Sequence, residues 1–215
     1  DTTTLKVETQ GESEFSLSWN DANGSSSFND LVVNIQPTLE ELPLGTNLQN
    51  LSQAELIDLT GLSQAVVTAN FSVFREAEFN NEVYFYEVDE SGKVDGFVPN
   101  TSTYQQAALY NLVKDAVTGE VVKFSAANQG VETGSAQIET GSIIAPLIIV
   151  NGSLDELTDS DTSNNPEIYF PYLGANADGV DHISLLADNT FGFEDLPNGG
   201  DYDYNDLIVK IDFSA

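Results

Sequence analysis

The chain has 215 residues, of which 40% are hydrophobic, and this is enough apolar material for the core of one large domain. Its 35 acidic and 6 basic residues give a formal net charge of -29, which opposes binding to nucleic acid and to anionic membranes. There is no cysteine, so disulfides, thiolate catalysis and cysteine-based zinc sites are excluded.

The large negative charge also bears on metal binding. Crowded carboxylates repel one another in a compact state unless cations bind, and calcium is the hard cation that oxygen ligands suit best. Acidity that only keeps a protein soluble, or suits it to high salt, is the alternative, and composition alone does not separate the two. Calcium is therefore the expected cofactor only if particular loops can hold it.

Residue 1 is an aspartate and the sequence has no methionine, so we take Asp1 as a processed or excised boundary of a larger multi-domain chain. The longest apolar run lies at 143–150, contains Pro146 and is too short to span a bilayer. We therefore expect a protein without direct membrane insertion.

Short runs rich in β-branched and aromatic residues, separated by Gly, Asn, Asp and Ser, predict a series of strands. A short helical turn capped by Ser52 is expected through Asp58, and a second helix over 103–113, where apolar residues have roughly helical spacing. The predicted strands lie at 65–74, 83–88, 121–124, 142–150, 167–172 and 182–186.

Many strands with little helix predict an all-β fold: an antiparallel β-sandwich, jelly-roll-like, with one or two short helices. A parallel α/β fold would need helices between successive strands, and the sequence lacks them. We expect residues 1–215 to form a single module, with an irregular insertion or crossover at 37–63.

A repeat joins the two ends of the chain. The segment FNDLVVNI at 28–35 recurs as YNDLIVKI at 204–211, and in both copies an aromatic-Asn-Asp triplet precedes alternating apolar residues. Chance similarity between two strand starts is the alternative. The repeat predicts two related strands that lie side by side in one core and carry similar metal loops.

The strongest candidate for a metal site is the segment FGFEDLPNGGDYDYND at 191–206. Oxygen-bearing side chains at i, i+2 and i+4 can converge on one ion, as in the first half of an EF-hand loop, although here a strand follows and the sixth position is not glycine. An acidic β-turn that hydrogen-bonds its own backbone is the alternative. The predicted calcium ligands are Asp201, Asp203, Asn205 and Asp206, with Glu194 and Asp195 completing the sphere.

Two further groups are weaker candidates. The segment before the first copy of the repeat could build a related, less charged site, and an acidic turn precedes the predicted strand at 182–186. Solvated turns are the alternative for both. The residues concerned are Asp21, Asn23, Asn29 and Asp30 in the first group, and Asp178 and Asp181 in the second.

Nothing in the sequence marks out a catalytic centre. His182 is the one histidine, and no G-x-S-x-G elbow accompanies it, so a structural role is expected. Paired carboxylates of a glycoside hydrolase could occur in so acidic a chain, but no particular pair stands out. The protein is therefore predicted not to be an enzyme.

Residues 66–211 resemble a bacterial domain family of unknown function. The resemblance is carried by LGANADGVDHISLLADNTFGFEDLPNGGDYDYNDLIVKI at 173–211 and more weakly by segments at 75–88, 103–113 and 141–152. Members of that family commonly sit in large secreted or surface proteins beside calcium-binding repeats and adhesive modules. The resemblance implies a calcium-stabilised extracellular role, carried here by the same residues between Glu194 and Asp206.

The expected function is that of an extracellular module of an adhesin-type protein that binds a glycan or a peptide, with calcium ordering the loops or bridging the ligand. A calcium-stabilised spacer without its own ligand is the alternative, and a glycan-active hydrolase is the least favoured hypothesis.

Overall fold

The computed structural model describes residues 5–9, 14–20, 28, 31–36, 41–49 and 55–215. Among these residues most of the regular structure is β-strand in antiparallel sheets, which confirms the predicted all-β sandwich. No helix in the described part of the chain is long and apolar enough to cross a membrane. The elements are β1 (Leu5–Thr9), β2 (Phe15–Trp19), β3 (Leu31–Ile35), β4 (Ile57–Asp58), β5 (Val66–Arg75), β6 (Glu82–Val88), α1 (Tyr104–Tyr110), β7 (Val131–Glu139), β8 (Ile143–Val150), α2 (Leu154–Thr158), β9 (Glu167–Tyr169), β10 (Ile183–Ala187), β11 (Thr190–Phe193) and β12 (Leu207–Ser214).

The chain divides into two compact units, Asp1–Glu41 and Leu42–Ala215. The described part of the first unit is a three-stranded antiparallel sheet in the order β1-β2-β3. Its register places Val7 and Val33 on either side of Leu17, so apolar residues share one face of the sheet.

The second unit contains a five-stranded sheet in the order β10-β11-β12-β5-β7. In β12 the alternate residues Leu207, Val209 and Ile211 are buried, as the period of two in the sequence predicts. The long pairing of β12 with β5 runs from Leu207 opposite Arg75 to Ser214 opposite Thr68. β12 is therefore held along its whole length, and its first residue directly follows the acidic loop.

The other sheet of this unit is built around β8, with β6 on one edge and β4 and β9 sharing the other. Every residue of β8 is buried, because both faces of the sheet are covered, and this explains its continuous apolar run. Pro146 lies between Ile144, where pairing with β4 ends, and Ile148, where pairing with β9 begins. The proline is tolerated because no neighbouring strand requires a backbone donor from it on that edge.

The main core lies between the two sheets of the second unit. The ring of Phe85 on β6 packs edge-on against Phe191 on β11, with centroids 5.5 Å apart, and against Phe124, with centroids 5.4 Å apart. A second apolar cluster covers the outer face of the β8 sheet, where Tyr86 and Tyr104 pack with Phe170. The main core, which includes Phe191, Phe193 and Leu207, thus holds the strands that precede and follow the acidic loop.

The prediction that the two strands of the repeat lie side by side is wrong. β3 pairs with β2 in the three-stranded sheet, whereas β12 lies between β11 and β5. An aromatic-Asn-Asp triplet followed by alternating apolar residues specifies how a strand begins and which face it buries, but not which strand becomes its neighbour.

The helices also differ from the expectation. α1 lies within the predicted range 103–113. Residues 52–54 of the turn predicted from Ser52 to Asp58 lie outside the described residues, and its last two residues, 57 and 58, form the strand β4. The second helix is α2, which begins with a capping box: Glu156 N–H donates to Ser153 Oγ at 3.3 Å, and Ser153 N–H donates to Glu156 Oε2 at 2.8 Å.

Candidate metal site

The acidic loop is the connection between two paired strands. β11 and β12 are antiparallel, with Phe193 opposite Leu207, so Glu194 leaves the sheet beside the point where Asp206 enters it. Both phenylalanines of β11 and the alternate apolar residues of β12 are fully buried. The two ends of the loop are therefore anchored in the core, and residues between them are brought back toward Glu194.

The backbone of this loop is unusually constrained. Positive φ angles occur at Asn198 (62°), Gly199 (77°), Gly200 (51°), Tyr202 (63°) and Tyr204 (54°). Two tyrosines in this region are uncommon, since a side chain with a β-carbon normally avoids it. Such strain persists only where the surroundings over-determine it, and it is often found at functional sites.

The turn directs three carboxylates toward one point. One oxygen each from Glu194, Asp201 and Asp203 lies within 4.8 Å of the others, and the described residues contain no other group of acidic and histidine ligands of this kind. Glu194 is 1% exposed, whereas both aspartates are exposed. Burial raises the pKa of Glu194, and the charges of Asp201 and Asp203 raise it further, against a hydrogen bond of 2.7 Å from Tyr204 N–H to Glu194 Oε1.

Gly200 makes this arrangement sterically feasible. A β-carbon at Gly200 would collide with Glu194 Oε2, and the backbone angles there (φ 51°, ψ −125°) belong to a region that is essentially restricted to glycine. The carboxylate of Glu194 therefore lies directly against the backbone of the turn.

Replacing Gly200 by alanine is expected to displace the Glu194 carboxylate and to abolish metal binding at the cluster. The control is Gly179→Ala, because Gly179 also has a positive φ (69°) but has no atom within 4 Å of the added β-carbon. The control should lower the free energy of unfolding by only roughly 1–2 kcal/mol, the cost of a left-handed backbone conformation for a residue with a β-carbon. Calorimetric calcium titration and thermal melts of both variants check this, and equal binding by both would contradict the role of Gly200.

Asp195 and Asp206 form a second, more buried pair at the base of the loop. Asp206 Oδ2 accepts a hydrogen bond from Asp195 N–H at 2.9 Å, and Asp195 Oδ2 accepts one from Asn81 Nδ2 at 2.7 Å. Burial raises the pKa of Asp206 to about 6, and the carboxylates of Asp195 and Glu194 add to the effect. The Asp206 carbonyl accepts from the amides of Glu76 and Ala77, both at 3.1 Å, so this pair ties the loop to the segment between β5 and β6.

The remaining predicted ligands of this half of the chain make other contacts. Asn205 donates to Asp203 Oδ2 at 2.7 Å and so braces one member of the cluster. Asp178 accepts from Asn198 N–H at 2.9 Å and from Val180 N–H at 3.1 Å. Asp181 accepts from Ile183 N–H at 3.2 Å. Asp178 and Asp181 are thus not among the three clustered carboxylates, whereas Asn205 contacts one of them.

The side chain of His182 contacts both the acidic loop and the turn that contains Asp178. It is fully buried, its ring stacks on Tyr169 with centroids 3.5 Å apart, and its Nε2 lies 2.9 Å from Asp178 Oδ2. Its Nδ1 lies 3.1 Å from the carbonyl oxygen of Glu194, which can only accept, so Nδ1 is the donor. The side chain thus connects the Asp178 turn to the backbone of the buried cluster member.

Asp21, Asn23, Asn29 and Asp30, the predicted ligands of the N-terminal site, lie outside the described residues. Asn81 was not among the predicted site residues, but its side chain donates to Asp195 at 2.7 Å and accepts from the Asn151 amide at 3.0 Å. An asparagine 114 residues away from its partner in the chain carries no local signal of that contact.

Residues 138–214 match the model of a family described as a domain of unknown function, DUF4114. That part of the chain is thus similar to a bacterial domain family of unknown function, and the matched range contains β11, β12 and the whole acidic loop between them. No curated protein matches the chain. No solved structure matches it either.

Proposed function

We propose that this chain is a calcium-binding module of a secreted bacterial surface protein of the adhesin type, and that it binds a ligand rather than catalysing a reaction. The observation that carries the proposal is the convergence of Glu194, Asp201 and Asp203 on a strained turn between two core strands. Three carboxylates so close together repel one another, and a bound cation offsets that repulsion.

The donor set fits calcium better than other metals. It consists of carboxylate oxygens, which hard cations prefer, with neither a cysteine in the sequence nor a histidine in the cluster to favour zinc. Calcium accepts six to eight oxygen ligands in flexible geometry, so backbone carbonyls, waters or a ligand would supply the rest. Magnesium requires near-octahedral geometry and releases its water reluctantly, which an open turn with two exposed aspartates does not favour.

Two roles for the ion follow from the two sides of the cluster. The buried side, with Glu194 beside the Asp195–Asp206 pair, supports a stabilising role and so the alternative of a structural spacer. The outer side supports ligand binding, because Asp201 and Asp203 are exposed and Tyr202 between them is 56% exposed. We favour the second role, with a glycan or a peptide as the ligand of the module.

Replacing both Asp201 and Asp203 by alanine is expected to remove one calcium from the binding stoichiometry. The matched control is the double variant Asp159→Ala and Asp161→Ala, which removes the same charge at the same spacing from another exposed turn. Isothermal titration of calcium into the three proteins is the measurement. An unchanged stoichiometry in the first variant would contradict the assignment of the site.

A further inference from the structure

Among the described residues, the three-stranded sheet of the first unit leaves one apolar face exposed. The residues of this apolar face alternate along the three strands and include Leu5, Val7, Leu17, Trp19, Leu31 and Val33. Val7 is 58% exposed and Leu31 is 55% exposed, and a contiguous apolar patch of this kind marks an interaction surface. β3 pairs with β2 alone in the described part of the chain, so its other edge presents backbone groups without a ladder partner.

This sheet corresponds to the β10-β11-β12 part of the second unit in strand order and in register. In both, the middle strand has an antiparallel neighbour on each side. Trp19 lies opposite Leu31, as Phe193 lies opposite Leu207. The next apolar row across the sheets is Val7, Leu17 and Val33 in the first unit, and Leu185, Phe191 and Val209 in the second. Each of these apolar positions in the first sheet thus has an apolar counterpart in the second.

The residues that flank the strands agree with this correspondence. The middle strand is followed by Asn-Asp at 20–21 and by Glu-Asp at 194–195, and Asn-Asp precedes the third strand at 29–30 and at 205–206. The residue directly after the middle strand is buried in both units, since Asn20 is 7% exposed and Glu194 is 1% exposed. The described part of the first unit is therefore equivalent to the last three strands of the second.

In the second unit the equivalent face and edge are covered. Leu207 and Val209 are fully buried in the core between the two sheets. β5 pairs along the edge of β12, with Val73 opposite Val209 and Phe71 opposite Ile211. The second unit thus shows what covers a sheet of this kind, namely one strand along the edge and one sheet across the face.

We propose that the first unit is the closing part of a second sandwich of the same fold, and that its exposed face and edge bind the other strands of that sandwich. A strand of the β5 type would pair with the open edge of β3, and a sheet of the β6–β8 type would cover the apolar face. In the second unit these elements precede β10, so chain order places their counterparts before β1, in the polypeptide that leads into the first unit. The chain then spans the end of one sandwich and the whole of the next.

The first test is an NMR titration of the full labelled chain with a synthetic peptide of the β5 sequence, residues 65–75, in chelator. Chelator makes the result independent of the proposed metal site. The peptide should shift the amides of β3 saturably by adding a strand to its edge. A nitroxide at the carboxyl end of the peptide should broaden Leu31 before Ile35, because Arg75 lies opposite Leu207 in the antiparallel pairing of β5 with β12.

Two variant peptides of equal charge separate this pairing from general attraction to an acidic chain. The Phe71→Lys, Val73→Lys peptide alters the side chains that would join the apolar face, and it should bind at least about tenfold more weakly. The Asn70→Lys, Ser72→Lys peptide places the same two charges on the opposite side of the strand. It should bind at least as well as the unaltered peptide.

The second test removes the limit that the affinity of a short peptide sets. A second copy of residues 65–75 is joined ahead of residue 1 of the full chain by a flexible linker of about fifteen residues, which raises its effective concentration. Hydrogen exchange should show new protection of the β3 amides that point away from β2. Val33→Lys, on the apolar face, should remove this protection, whereas Val32→Lys, on the other face of β3, should leave it.

Unchanged exchange of these amides in the extended chain would overturn the proposal, as would equal binding of the two lysine-substituted peptides. Sedimentation of the parent chain tests the competing occupant, a second copy of the same chain. A concentration-dependent dimer that Val33→Lys abolishes and Val32→Lys retains would assign the apolar face to self-association and so contradict the proposal. A monomer that gains protection only when the strand is supplied would support it.

Discussion

Replacing Phe85 by alanine is expected to lower the free energy of unfolding by about 3–5 kcal/mol, the usual cost of emptying a fully packed aromatic site. Phe85 is 2% exposed, and its ring bridges the two sheets through edge contacts with Phe191 and Phe124. For a domain of this size each kcal/mol shifts the melting temperature by roughly 2–4 °C, so the midpoint should fall by at least about 6 °C.

Urea unfolding followed by circular dichroism measures this effect, with Phe97→Ala as the control. Phe97 is 41% exposed, so its replacement should change stability by only about 0.5 kcal/mol. A similar small loss for both variants would mean that the two sheets do not pack through Phe85. A large loss confined to Phe85 would support the sandwich interface as the main source of stability.

Calcium is expected to raise the melting temperature by several degrees. A ligand that binds only the folded state at a hundredfold excess over its Kd contributes about 2.7 kcal/mol per site. At roughly 2–4 °C per kcal/mol this corresponds to about 5–11 °C for one site. The gain arises because the ion offsets the repulsion among Glu194, Asp201 and Asp203, which the unfolded chain relieves by separating them.

The measurement is a set of thermal melts in chelator, calcium chloride, magnesium chloride and sodium chloride of equal ionic strength. Sodium chloride screens exposed charges but cannot fill a ligand cage, so calcium should stabilise more, with magnesium between them. The Asp201→Ala, Asp203→Ala variant should lose the calcium-specific part of the gain and keep the effect of sodium chloride. Equal shifts in all three salts would mean that the acidity acts only as generic surface charge.

The strands with strong local patterns could be predicted from the sequence. The runs at 65–74, 83–88, 142–150 and 182–186 correspond to β5, β6, β8 and β10 within a residue or two. β-branched and aromatic residues prefer an extended backbone. An alternating pattern indicates a strand with one buried face, and a continuous apolar run indicates a strand that is buried on both faces. The capping box formed by Ser153 and Glu156 is an equally local signal, although α2 was not among the predicted helices.

Elements that depend on their neighbours were missed. β7 has the polar sequence VETGSAQIE and is extended because it pairs with β5 over nine residues. Residues 121–124 were predicted as a strand, yet they make only isolated bridges, from Val121 to Lys114 and from Phe124 to Val83. In both cases the segment forms a strand only if a neighbouring strand is available to pair with it, whatever its intrinsic β-propensity.

The acidic loop likewise combines features that are visible in the local sequence with features that depend on the fold. The oxygen-bearing side chains, their i, i+2 spacing and the paired glycines that allow a sharp turn can all be recognised in the sequence. Which oxygens meet depends on the fold: the β11–β12 pairing returns Asp201 and Asp203 to Glu194, while Asp195 accepts from Asn81 and Asp206 accepts from the amide of Asp195. Spacing along a chain specifies the reach of side chains, but the packing of strands in the core sets the direction in which each of them points.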